Sequence, residues 1–126
     1  MKLGQSFLAA AALAVAAASA AQAGTKIMAT APANRSYPGS GGQINCTILN
    51  MNKTDRSVTI EIMAYDGSVR DVSGPVTLAP QTGLSASDAI NDASWCRFTV
   101  DGSTKKYRAA AVYSDGGVLS SANVAK

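Results

Sequence analysis

The sequence predicts an all-β, antiparallel sandwich of about seven strands, and three observations predict it. Apolar and polar residues alternate over short runs, turn residues recur roughly every 8 to 12 positions, and nothing after residue 23 sustains a 3.6-residue apolar period over three turns. Two cysteines, Cys46 and Cys96, fall on an early and a late alternating run.

The first segment is an export signal by its physical layout. Lys2 precedes an uncharged apolar run from Phe7 to Ala20, and Ala21-Gln22-Ala23 supplies a small-residue cleavage site before Gly24. The run is too short for the roughly 20 apolar residues a membrane span needs, and Gly24 rather than a cysteine follows the site. Removing 23 of 126 residues leaves 103, which suits one small domain. The expected organisation is a signal peptide at 1–23, a flexible N-terminal lead-in at 24–43 and a β-sandwich domain at 44–126. The product is expected to be exported, to the periplasm or the exterior, with no membrane span after cleavage.

In the lead-in, Tyr37-Pro38-Gly39-Ser40-Gly41-Gly42 breaks any regular element, and a short strand fits only around Lys26 to Ala29. Ile44, Cys46 and Ile48 then alternate with Asn45 and Thr47, and Val58, Ile60, Ile62 and Ala64 alternate with Ser57, Thr59 and Glu61. Asn50 to Asp55 reads as the loop between these two strands. Asp66-Gly67 has the composition of a tight hairpin with a positive-φ pair and leads into a strand at Val69 to Val72. Gly74-Pro75 separates that strand from Val76-Thr77-Leu78, and Pro80-Gln81-Thr82-Gly83 turns the chain. Leu84 to Ala89 fits a strand or an irregular crossover. Cys96, Phe98 and Val100 face inward on the next run, Asp101-Gly102 signals a second hairpin before Lys105 to Tyr113, and Asp115-Gly116-Gly117 precedes a last strand from Val118 to Ser121.

An even number of thiols in an exported chain implies pairing, so one disulfide, Cys46 to Cys96, is expected. Closing a loop of about 50 residues stabilises a fold by roughly 4 kcal/mol in the chain-entropy picture. With both cysteines inward on an early and a late strand, the arrangement resembles the inter-sheet bridge of immunoglobulin-type domains. That resemblance implies an Ig-like sandwich with one inter-sheet disulfide. Trp95, however, adjoins the second cysteine, and Ser94 stands where such domains carry a tyrosine. The segments Cys46-Thr47-Ile48-Leu49-Asn50, Cys96 to Ser103 and Arg108-Ala109 also resemble a group of small exported bacterial proteins. This second resemblance implies the fold and the bridge, and no chemistry.

Histidine is absent, which removes Ser-His-Asp and Cys-His catalysis and the commonest metal ligand. Most acids, namely Asp55, Asp66, Asp71, Asp101 and Asp115, sit in turn sequences, and Glu61 faces outward. Asp88, Asn91 and Asp92 supply oxygen ligands without the spacing of a calcium loop. Gly39 to Gly42 lacks the Lys-Ser/Thr of a phosphate loop. No enzyme activity, cofactor or metal is expected. The eleven basic residues less Lys2 leave ten, scattered against eight acids, which does not suit nucleic acid.

Trp95, Arg97 and Tyr107 are the candidate partner-binding residues, with Tyr65 and Tyr113 as possible neighbours, because aromatics give large contact area at low entropic cost. Alternatively, Trp95 covers the sandwich edge or packs under the Asn91 to Ser94 loop. The functions these features fit are a non-catalytic binding module for a glycan, peptide or protein, or a structural subunit in which residues 24 to 36 add a strand to a neighbour's sheet.

Overall fold

The structure is a computed structural model that describes residues 24–32, 42–90, 93–115 and 118–126. The expected signal peptide, the Pro-Gly segment and the Asn91-Asp92 and Gly116-Gly117 turns lie outside the described residues. Eight strands are described: β1 (Thr25–Ala29), β2 (Gly42–Asn50), β3 (Arg56–Met63), β4 (Val69–Leu78), β5 (Gly83–Ile90), β6 (Trp95–Asp101), β7 (Tyr107–Asp115) and β8 (Val118–Val124). They form two antiparallel four-stranded sheets, ordered β1-β6-β3-β4 and β5-β2-β7-β8. No helix among the described residues is long and apolar enough to cross a membrane.

Period-two burial builds the layers. Ile44, Cys46 and Ile48 of β2 face Val58, Ile60 and Ile62 of β3 and Phe98 and Val100 of β6 in one buried cluster. Burying such side chains contributes about 1.5 to 3 kcal/mol each relative to leaving them exposed. The Cys46–Cys96 disulfide joins the sheets through this cluster, with Cα atoms 5.8 Å apart and both residues fully buried. The fold is therefore an Ig-like antiparallel sandwich with one inter-sheet disulfide. Pairs β2–β5 and β3–β6 match the B–E and C–F pairs of immunoglobulin domains. The flanking strands are exchanged: β7 lies beside β2, and β1 lies beside β6.

Three expectations change, while the short strand expected around Lys26 to Ala29 forms as β1: Thr25 to Ala29 pair with Asp101 to Arg97, and Met28 is buried against the core, so a short apolar anchor suffices to tie this segment down. Residues 25–29 are thus used within their own sheet and are not free to extend a neighbour's.

Asp101-Gly102 makes no hairpin. The β6 strand already has β1 and β3 on its two sides, so the chain crosses to the other sheet through a 3-10 turn at Thr104–Lys106. Only Gly67 of the Asp66-Gly67 pair has positive φ; Asp66 Oδ1 instead accepts the Ser68 backbone N–H at 2.9 Å, an Asx turn.

Finally, β4 continues as one strand past Gly74-Pro75, but through a register shift, with Val58 opposite Val76 and Ile60 opposite Ser73. It is an edge strand, and an irregularity on an edge is where a sheet tolerates proline. Gly74 has φ +113°, and a Cβ there would sit 2.7 Å from the Val58 carbonyl oxygen, so only glycine lets β4 pass this close to β3.

Candidate functional site

The outer face of the β1-β6-β3-β4 sheet carries two of the three candidate residues. Ladder register arranges that face in rows. Trp95 lies opposite Met63, which lies opposite Val69. In the next row Ala29, Arg97, Glu61 and Val72 follow one another across the sheet, and beyond it Ile27 lies opposite Thr99. Alternation on β6 forces this placement. Cys96 and Phe98 must point inward, so Trp95, Arg97 and Thr99 must point outward.

Arg97 is committed before any partner arrives. Its Nε donates to Glu61 Oε1 at 3.0 Å and its Nη2 to Glu61 Oε2 at 2.9 Å, a two-pronged pair in the fork geometry that guanidinium favours. That hydrogen bonding raises the Arg97 pKa further above its ordinary value. Its charge is consequently neutralised at the centre of the face.

Around the pair stand exposed apolar side chains: Ile27 at 62 %, Val72 at 52 % and Val69 at 46 %. Trp95 is half-buried, while Met63 opposite it is only 1 % exposed. Directly opposed cross-strand residues have Cβ atoms about 5 Å apart, so the indole is the large neighbour placed to cover Met63. Covering a neighbour and presenting a surface are thus both compatible with this tryptophan.

Tyr107 does not join them. It is 2 % exposed, lies on β7 in the opposite sheet and faces the core with Ala109, Ala111 and Tyr113. Its hydroxyl donates to the Asp101 carbonyl. Burial, the main cause, raises its phenol pKa. The physical reason is parity: exposed Arg108 fixes the outward set of β7, and Tyr107 takes the other side. Tyr113 is likewise buried, donating to the Ser94 carbonyl at 2.7 Å, whereas Tyr65 is exposed at the β3–β4 turn.

Asn50 was expected in a loop, yet it ends β2 fully buried. Its Nδ2 donates to the carbonyls of Leu78 at 3.0 Å and Thr54 at 3.1 Å, and its Oδ1 accepts from the Asn52 backbone at 2.9 Å. The signal that identifies it is parity again, since position 50 continues the inward series 44, 46, 48. Asp88, considered above for cation binding, pairs with Arg70 at 3.3 Å, while Asn91 and Asp92 lie outside the described residues.

No protein-family model matches the chain, and no curated protein matches it. Solved structures with similarity include the crystal structure of Thermotoga maritima 1070, 10 % identical, covering 82 % of this chain and 94 % of that one with TM-score 0.51. Another is the Anabaena sensory rhodopsin transducer, 15 % identical, covering 69 % of this chain and 84 % of that one with TM-score 0.36. At 10 % identity, the likeness to the Thermotoga structure is one of fold alone.

Proposed function

We propose that the mature chain is an exported, non-catalytic binding module that engages a protein partner through the outer face of the β1-β6-β3-β4 sheet. The observation that carries this reading is the half-buried Trp95 sharing one sheet face with exposed Ile27, Val69 and Val72 and with a charge pair that is already neutralised. Protein interfaces concentrate binding energy in a few aromatic anchors surrounded by contacts that exclude water, and deplete unpaired charge at their core. A broad sheet face with exposed apolar side chains around a charge pair suits a protein better than a glycan. The leader-like segment at 1–23 and the disulfide support export, because such bridges persist in oxidising compartments.

The test is capture from the native envelope or culture fluid with wild-type mature protein, Trp95→Ala and Val72→Asp, each checked for thermal stability. A partner held by wild type and lost by both folded variants supports the reading. Recovery of the same proteins by all three contradicts it.

A second reading is assembly through β4. This edge strand is exposed along nearly all its length and presents Val69, Val72 and Val76 to solvent. An unpaired apolar edge is a template for strand addition. Sedimentation that stays monomeric across a wide concentration range would remove this alternative.

A further inference from the structure

A groove that the reading above does not use runs over the outer face of the opposite sheet at Thr47, Leu49 and Ala110 and reaches the seam with β1, where Met28 and Ala125 line it. It has a volume of about 800 Å³, within the range of roughly 300 to 1,000 Å³ typical of small-molecule sites. Its floor follows from sequence. Ser85, Thr47 and Ala110 lie in one cross-strand row, and Gly83 lies beside Leu49 in the next. Small side chains lower the sheet surface there, while Leu49 and the exposed Val124 rise at either side.

Three cationic side chains, Lys105, Arg108 and Lys126, line the groove, and no acidic side chain of the described residues does. Arg108 is held in place without being neutralised: its Nη1 donates to the carbonyls of Lys105 at 3.1 Å and Tyr107 at 2.9 Å. The ion pairs of the described residues use Arg56, Arg70 and Arg97 instead. A mostly apolar trough lined by cationic side chains, with Arg108 held in place and paired with no acidic side chain of the described residues, has the chemistry that recognises an anionic head on an apolar body.

We infer that this groove binds a free long-chain carboxylate, with the carboxylate against Arg108 and Lys105 and the chain along Thr47, Leu49 and Ala110. Dodecanoate, used below its micelle concentration and followed by titration calorimetry, is the probe. Wild-type protein is expected to bind it saturably at one site. Lys105→Glu/Arg108→Glu should weaken binding by at least tenfold, Ala110→Phe should block the trough, and Trp95→Ala should leave binding unchanged, with circular dichroism confirming that each variant folds.

Dodecanol, which keeps the chain and lacks the charge, should bind at least tenfold more weakly. Absence of saturable dodecanoate binding overturns the proposal. So does binding unaltered by the groove variants, dodecanol binding as tight as dodecanoate, or retention on anionic phospholipid vesicles without binding of the monomeric carboxylate. Because Trp95 lies on the other sheet, failure here leaves the sheet-face reading separately testable.

Discussion

Replacing Asn50 with leucine removes the donor for the buried Leu78 carbonyl and the acceptor for the Asn52 N–H in one step. Leaving such groups unpaired costs about 1 to 3 kcal/mol each, so a loss of about 3 kcal/mol in denaturant unfolding is expected. The Glu61–Arg97 pair should contribute less. With Arg97's side chain 33 % exposed and Glu61's 18 %, solvent screening reduces it, and a double-mutant cycle should give a coupling of about 0.5 to 1 kcal/mol. Arg97→Lys should lose most of that coupling, because an ammonium cannot reproduce the fork.

Tyr107 makes stability depend on alkaline pH. Its folded pKa is raised by burial above the usual value of about 10, so between the two values the folded state holds a proton that the unfolded state has released. Its contribution is fully present below pH ~10 and is lost as pH rises through the folded value. Urea midpoints measured from pH 8 upward should therefore fall more steeply in wild type than in Tyr107→Phe. The phenylalanine variant should begin about 1 kcal/mol less stable through loss of the Asp101 hydrogen bond.

At the scale of elements, β2, β3 and β6 were readable because strong alternation and β-branched residues agree along their whole length. The alternation of Leu84 to Ala89 was weaker, since Ser85, Ala86, Ser87 and Ala89 differ little in polarity, yet β5 forms because β2 offers it a complete ladder. In β7 the run Arg108-Ala109-Ala110-Ala111 similarly hides its parity, and that is why the burial of Tyr107, the one of the three candidate residues that does not lie on the outer face, was not legible. The sheet crossing after Asp101 could not be read locally, because it depends on β1 and β3 already flanking β6. Gly74→Ala should expose the same kind of non-local constraint. Its Cβ meets the Val58 carbonyl and its φ is unfavourable for alanine, so a clear drop in melting temperature is expected, with the β3–β4 amides losing exchange protection first.

For the whole molecule, a single bridge spans the two layers of a small domain. Cys46→Ala/Cys96→Ala should cost about 2 to 5 kcal/mol, read from urea unfolding, with β-rich circular dichroism retained where the domain still folds. The outer sheet faces differ in character: one carries a neutralised charge pair with exposed apolar neighbours, the other a cation-lined trough. The most direct test of the first as a binding surface is hydrogen exchange of the mature protein with and without its captured partner. The account predicts slowed exchange concentrated in Thr25–Ala29, Val69–Leu78 and Trp95–Asp101. Slowing confined to Gly83–Ile90 and Tyr107–Asp115 would contradict it.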